Sequence, residues 1–440
     1  MKLIIANSRT EEMVGDLSKL SEQARKGGAW GAQRMLWFAT DGDVVVLPWL
    51  PPDSYLHYVT VLTHTDARSL TLVVPPPGEL GDELLTPDRT ADADFRTELR
   101  KAITGRTVER VITCFDDYAV VSLVEDLGIR DALAGHAFAT QGGVGMVNSK
   151  AVFRAVATGA AVAIPPGIVT HQRQQATETL KSILGSGRPA MIKQEFAGGG
   201  FGNALVAPCD GVVAAGASSV TVLAESSDVD TYVAENWDWM TGYRDHRVVI
   251  ERFFTGCTTI YGEFELTDAA SELSGIGQIL MEPVAAGEIV PPPSLTPDQR
   301  AHLESEAARI CEIFRRLGYR GRLSADAILT PSGEIYFTEA NGRVTGSTHL
   351  HTVIRGRMLA GSENRTLLER DSWPVPSFEA AVEALRTSQL GFDQASGTGV
   401  VITANYVPVT GAVMYCAVGE DIDAARVLEE RLLALKLTRA

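Results

Sequence analysis

The stretch SADAILTPSGEIYFTEANGR, residues 324–343, concentrates side chains that could hold a cation or a phosphate. Thr330, Pro331, Ser332 and Gly333 read as a tight turn, with Pro at its second position and Gly at its fourth. Apolar runs on either side predict a hairpin. Symmetry about the Ser332–Gly333 bond sets Asp326 opposite Glu339. Opposed side chains in such a ladder have Cβ atoms about 5 Å apart, so the two carboxylates repel unless a cation lies between them. Strand alternation puts Asn341 and Arg343 on the face of Glu339, with Ile335 and Phe337 preceding them along it. The oxygen-bearing Asp326, Glu339 and Asn341 predict a Mg²⁺ site shared with nucleotide phosphates. A solvated strand end is the plainer alternative, and the convergence of three oxygen-bearing residues favours the metal.

A second stretch, MIKQEFAGGGFGNALV at 191–206, places Lys193 on a strand just ahead of Gly198, Gly199, Gly200 and Gly202. Glycines let backbone N–H groups approach phosphate oxygens without a Cβ clash, and Lys193 adds a point charge. The run is not a P-loop, because no Lys-Ser/Thr follows it and no helix starts there. It is not a dinucleotide fingerprint either, since it joins two strands. A flexible hairpin tip is the bland alternative, and the carboxylates downstream argue for function. The earlier run QGGVG, 141–145, reads more readily as a linker than as a phosphate loop.

The order of these features resembles the ATP-grasp ligases. Lys150 opens a helix leading to AVAIPP, Lys193 precedes a glycine loop, IERFFTG at 250–256 forms a strand, and the hairpin ends in EANGR. The resemblance spans residues 145–350. It implies that Lys150 and Lys193 contact ATP phosphates beneath a flap containing Gly198, Gly199, Gly200 and Gly202. Glu251 would accept from the adenine amino group, and the backbone at Phe254 would be the hinge contact. Asp326, Glu339 and Asn341 would bind two Mg²⁺ ions, with Mn²⁺ able to substitute, and Arg343 would be the catalytic cation. Thr258 stands where some members carry a ribose-binding acid, so the resemblance names no ribose partner.

The segment LIIANSR, 3–9, resembles a pre-ATP-grasp domain. The implied fold class is α/β and α+β: an N-terminal pre-ATP-grasp α/β domain followed by an ATP-grasp fold of two α+β lobes. Its expected limits are 1–140 for the first domain and 141–187 for the start of the catalytic region. The lid lobe would be 188–254, and the catalytic lobe with a C-terminal extension 255–440. More narrowly the chain, including GQILMEPVAAGE at 277–288, resembles peptide ligases of antibiotic biosynthesis of the pheganomycin type.

The implied chemistry is activation of an amino-acid-derived carboxylate as an acyl phosphate and its transfer to the N-terminal amine of a peptide, releasing ADP and phosphate. The alternatives are a free amino acid or thiol acceptor, an ATP-grasp kinase, and a nucleotide-binding regulator without catalysis. The intact set Asp326, Glu339, Asn341 and Arg343 argues against the last. Ser347, Thr348 and His349 follow the hairpin and are candidates to contact the acyl group, although a polar capping loop explains each as well. Glu263, Glu265 and Glu282 are candidate carboxylates for a cationic substrate, and an exposed strand face is the plainer account of Glu263 and Glu265. Trp237, Trp239, Met240 and Tyr243 fit lobe core better than a substrate tunnel.

These groups must be positioned by several elements. The chain has 440 residues, 45% hydrophobic and 21% charged, which predicts two or three soluble domains. Apolar runs at 3–6, 44–47, 70–74 and 108–114, with helical patterns between, predict a small parallel sheet. Residues 75–95 read as an exposed loop. A helix is expected from Asn148 or Ser149 to Gly159, a strand at 162–166, a helix at 173–184, and a β-rich lobe from Ala190 to about Phe254. The strongest helix follows the capping box of Thr296 and Gln299, with Pro297 at its first position and Gly318 after its end. A net charge of −16 disfavours nucleic acid as a partner. The apolar N-terminal run is too short for a signal segment and no stretch has the length of a membrane span. Five scattered cysteines, at 114, 209, 257, 311 and 416, suit reduced thiols and a cytoplasmic location. The expected partners are a small carboxylic acid and a peptide amine, and a homodimer is compatible with the sequence without being specified by it.

Overall fold

A computed structural model describes residues 1–359, 364–435 and 437. The four apolar runs form a parallel sheet in the order Thr71–Val73, Val44–Val46, Lys2–Ile5, Arg110–Thr113. The runs are continuous because both faces are covered. Leu3, Ile5, Val44 and Val46 enter one core with Leu99 and Leu123. Ile4 and Val45 enter another, shared with Trp37, Tyr55 and the late strands around Val401 and Tyr415.

Three local expectations are corrected. Residues 75–95 are an exposed loop only in part: 75–86 form a loop with a buried side, and the helices Pro87–Thr90 and Ala93–Ile103 take up the rest. Arg89 is 1% exposed and donates all five N–H groups, to the carbonyls of Pro48, Pro75, Pro76, Asp82 and Leu84. One buried cation satisfies five backbone acceptors and folds the segment around itself. Residues 141–145 are neither linker nor phosphate loop. Gly142 is left-handed at φ +70°, and Gly143 begins the helix Gly143–Asn148, where a Cβ would lie 2.4 Å from the Phe138 ring. The strand expected at 162–166 lies instead at Gly167–Thr170, past the prolines that cannot donate to a ladder.

The β-rich lobe is a five-stranded sheet ordered Gly167–Thr170, Val248–Arg252, Ala190–Gln194, Asn203–Ala207, Ser219–Val222. Helices Arg173–Gly185 and Ser226–Met240 share a core with it. Met240 is buried there and Trp237 and Trp239 pack on its edge, whereas Tyr243 is 57% exposed. The aromatic stripe is therefore mostly lobe packing.

The other lobe rests on eight antiparallel strands: Ile335–Asn341, Gly321–Leu329, Thr258–Leu266, Ser271–Met281, Ala285–Val290, Thr366–Pro374, Ala412–Gly419 and Gly399–Asn405. The helix Pro297–Leu317 has the expected capping box and left-handed Gly318, and buries Leu303, Ala307, Ile310 and Phe314 against this sheet. Among the described residues no helix is long and apolar enough to cross a membrane.

Candidate active site

Gly321–Leu329 and Ile335–Asn341 pair as a hairpin, with Asp326 opposite Glu339. The route to that register differs from simple symmetry. Thr330 O accepts from Gly333 N at 2.9 Å, Thr330 N donates to Glu334 O at 2.9 Å, and Gly333 is left-handed at φ +91°. This is a three-residue loop closed by a glycine. Leu329 pairs with Ile335 and Ala327 with Phe337, and the register then shifts between Asp326 and Ala327. Thr338 is the extra residue of a bulge, and its hydroxyl donates to Asp326 O at 3.2 Å. The bulge corrects the expected alternation. Ile335, Phe337 and Ala340 face the core, whereas Glu339 and Asn341 face the cleft.

The cleft, about 260 Å³, lies between the two sheets. Lys193, Gly199, Gly200, Glu251 and Phe254 line it from the lobe side. Asp326, Glu339, Asn341, Arg343 and Ser347 line it from the other. Met191, Ile279, Met281 and Ile328 give it an apolar end suited to a flat base. Phe254 stacks on Tyr336, with ring centroids 4.8 Å apart, under the Arg252 guanidinium at 4.4 Å. Thr258 is not a lining residue, while its neighbours Cys257 and Thr259 are.

Charges are paired tightly at the polar end. Lys150, the first residue of the helix Lys150–Gly159 capped by Ser149, reaches Glu339 Oε2 at 3.2 Å and donates to Ala197 O at 2.5 Å. The Glu251 carboxylate lies between Lys193 at 2.5 Å and Arg154 at 2.7 Å. Burial and then the charge of Glu339 push Asp326 up to about 7. Burial acts against ionisation of Glu339 too, but Lys150, Lys193 and Arg343 overcome it and hold that carboxyl at about 2. Asn341 Nδ2 donates to Asp326 Oδ2 at 2.9 Å, and its carbonyl accepts from Arg343 at 2.8 Å. Turning its oxygen toward the carboxylates requires rotation of the amide.

Two facing carboxylates, one strained toward a proton by the other, fit a divalent cation. No trio of His, Cys, Asp and Glu converges among the described residues, so phosphate oxygens and water would have to complete the shell.

The glycine loop bends over this end. Gly199 O accepts from Ala285 N at 3.3 Å, and a Cβ on Gly198 would lie 3.1 Å from Arg343 Nη2. Gly202 packs behind the loop, where a Cβ would meet that of Ala197 at 2.1 Å.

The expected substrate residues separate. Glu263 is not on an exposed strand face but 0% exposed, because the 345–351 segment covers that face. Its Oε2 accepts from the hydroxyls of Thr345, Ser347 and Thr348 at 2.9, 2.8 and 3.1 Å. Glu265 pairs with Arg110 and Arg322, and Glu282 pairs with Arg370 at 2.9 Å. His349 pairs with Glu369 at 2.8 Å. Burial lowers His351 to about 3 and keeps it neutral.

Sequence reasoning missed Arg154, Tyr261 and Glu288. Tyr261 donates to Glu288 Oε2 at 3.0 Å and meets His351 Nε2 at 3.0 Å. Burial and the charge of Glu369 raise Glu288 well above the usual carboxyl range. A Glu in the alternating strand Ala285–Val290 was the available signal.

Residues 32–129 match the pre-ATP-grasp domain, residues 149–366 the ATP-binding domain of the carbamoyl-phosphate synthase L chain, and residues 380–432 the PGM1 C-terminal domain. Similar solved structures include a biotin carboxylase–β-γ-ATP complex from Campylobacter jejuni, with a TM-score of 0.57 and 13% identity over 97% of this chain and 89% of that one. N5-carboxyaminoimidazole synthetase from Staphylococcus aureus complexed with ADP gives 0.55 and 11% over 98% and 96%. The biotin carboxylase domain of a Hydrogenobacter thermophilus 2-oxoglutarate carboxylase, in complex with MgADP, ADP and bicarbonate, gives 0.54 and 14% over 94% and 85%. Likeness at such identity is one of fold. No curated protein matches the sequence.

Proposed function

We propose that this chain, a pre-ATP-grasp domain joined to an ATP-grasp fold of two α+β lobes, is an ADP-forming ligase that joins a carboxylic acid to an amine. The observation that carries the reading is the convergence of Asp326, Glu339 and Arg343 with Lys193 and the glycine loop in one cleft that ends in an apolar slot. Phe254 would mark the base end, and Glu251, held between Lys193 and Arg154, would stand between it and the phosphates. Lys193, Lys150 and the loop amides would take the phosphates. Asp326 and Glu339, with Asn341 after an amide rotation, would hold Mg²⁺ or Mn²⁺, two ions in the full complex, and bound metal supplies charge neutralisation between phosphate oxygens.

The substrate carboxylate oxygen forms a bond to the γ-phosphorus as the bond to the β-bridging oxygen breaks, giving an acyl phosphate and ADP. The amine then forms the C–N bond, loses a proton, and phosphate leaves. Arg343 faces the transferring group and stabilises its charge. No covalent enzyme nucleophile is required.

The finer reading is a peptide ligase of antibiotic biosynthesis, acting in the cytoplasm on an amino-acid-derived acid and the N-terminal amine of a peptide. Its support is the resemblance across 277–288 and the ATP-grasp motifs. The test supplies ATP, Mg²⁺, a panel of acids and short peptides, and follows products by phosphorus NMR and mass spectrometry. ADP, phosphate and an N-acylated peptide are expected. Pyrophosphate overturns the acyl-phosphate scheme. Acylation of free amino acids, thiols or ammonia alone overturns the peptide reading and leaves the broader ligase class.

A further inference from the structure

Across Arg343 from the nucleotide cleft lies a second cavity, of about 210 Å³, and the two share Gly199, Arg343, Thr345 and Gly346 as walls. Its far side comes from remote parts of the chain. Arg9 lies beyond the strand Lys2–Ile5, Arg34 just past the helix Glu22–Ala32, and Tyr406 just past the strand Gly399–Asn405. No Asp or Glu is among the lining residues, in a chain of net charge −16.

Arg9 and Arg34 each present five N–H donors. Neither makes a hydrogen bond or an ion pair with any described residue. Arg343 donates to Asn341. Burial holds Arg9 below the usual guanidinium range and the neighbouring Arg34 adds to the effect, whereas at Arg34 burial is outweighed by Tyr406 and Glu369, which raise it. Glu369, whose charge acts on Arg34, is tied to His349 and does not line the cavity.

The chain also makes room for these groups. The helix Glu22–Ala32 carries Gly27, Gly28 and Gly31, residues that weaken a helix. A Cβ on Gly28 would fall 2.8 Å from Arg9 Cγ, and one on Gly31 would fall 2.7 Å from the Tyr406 hydroxyl.

We propose, resting on the ligase reading above, that this cavity holds the acyl donor and selects an acid with a second anionic group. The reacting carboxylate sits beside Arg343 at the glycine loop, and a second carboxylate or a phosphate sits between Arg9 and Arg34. Met13, Met35 and Phe38 line the space a short apolar spacer would fill. Arg9 and Arg34 face a partly desolvated cavity with no carboxylate of a described residue paired to either, so a second anionic group finds two open guanidiniums there and a monoacid leaves them unmatched.

The test titrates the full-length protein calorimetrically with short α,ω-dicarboxylic acids, their monomethyl esters and the matching phosphorylated acids, first without ATP. At least one dianion should bind about tenfold or more tightly than its monoester. The double substitution Arg9→Gln with Arg34→Gln should erase the preference, and Arg34→Lys should keep part of it. Melting temperature and ATP binding report whether each variant folds. Phosphorylated acids binding better than dicarboxylates assigns the second anion as phosphate, and the reverse assigns it as carboxylate. Equal binding of dianions and monoesters by the wild type overturns the proposal, as does a preference that survives in the folded double variant. ADP release in the presence of ATP and Mg²⁺ is read separately. If no acid elicits it, the ligase reading fails while the titrations still decide the anion pocket.

Discussion

At Glu339 two lysines and an arginine act on one buried carboxylate and outweigh its desolvation, while the facing Asp326 carries the penalty and titrates higher. Glu339→Gln keeps the shape and removes the charge. ADP formation should fall by about a hundredfold or more, the scale of losing one electrostatic stabiliser of a transferring group. Lys150 keeps the Ala197 carbonyl, so circular dichroism should remain native with a modest drop in melting temperature. Turnover within a few-fold of wild type would remove the metal assignment. A second buried acid lies in the N-terminal domain, just past the strand Arg110–Thr113. Asp117 caps the helix Tyr118–Asp126 by accepting from Val120 N, yet burial pushes its carboxyl up to about 7. A carboxyl whose pKa rises on folding holds its proton more tightly in the folded state. Its contribution is therefore fully present below the ordinary value near 4 and is lost as pH climbs through about 7. Asp117→Asn preserves a good cap and should flatten the decline in melting temperature between those limits. An unchanged slope in thermal melts across the window would show that Asp117 stays ionised throughout.

The two elements that set the chemistry were legible to different degrees. The turn of the hairpin announces itself through Pro331 and Gly333, but the loop is one residue longer than the symmetric reading, and Asp326 meets Glu339 only because the bulge restores the register. The Thr338 bulge could not be read from sequence, because no local residue type marks an extra residue, and it moves Glu339 off the face of Phe337. Glu263 was misjudged for a related reason: alternation predicts a face but not what covers it, and the covering segment lies some way downstream. The glycine loop was visible, and its geometry gives it a testable mechanics. Gly199 and Gly200 are left-handed at φ +65° and +87°, and a Cβ on Gly200 would crowd the Gly216 backbone at 3.1 Å. The loop side touches the 282–285 turn of the other lobe through Gly199 O to Ala285 N and Gly216 N to Pro283 O. Such sparse contacts let the loop open locally without unfolding its lobe. Amide exchange across residues 198–202 should slow when ATP and Mg²⁺ bind. Equal exchange with and without nucleotide would count against a closing flap.

At the scale of the molecule, the late strands complete the N-terminal domain as well as the large sheet. Trp37 is wholly buried and donates to Thr403 O at 3.0 Å, Tyr55 donates to the same carbonyl at 3.2 Å, and Ile402 N donates to the Tyr58 hydroxyl at 2.9 Å. One apolar core therefore joins Ile4 and Val45 to Val401, Val413 and Tyr415. Sequence reading left the C-terminal extension without a role, because this core depends on pairing between the two ends of the chain and on no local pattern. The same docking brings Arg9, Arg34 and Tyr406 around one cavity. Trp37→Ala removes a wholly buried tryptophan of that core together with its hydrogen bond. It should destabilise the protein by about 3–5 kcal/mol, the range for truncating a buried aromatic. Because the core is shared, amide exchange should quicken together in Val44–Val46 and Gly399–Asn405, while Ala190–Gln194 in the separate lobe core stays as protected as before. Faster exchange confined to the N-terminal sheet would show that the late strands hold independently, and the cavity between them would then lack the rigid frame that places its guanidiniums.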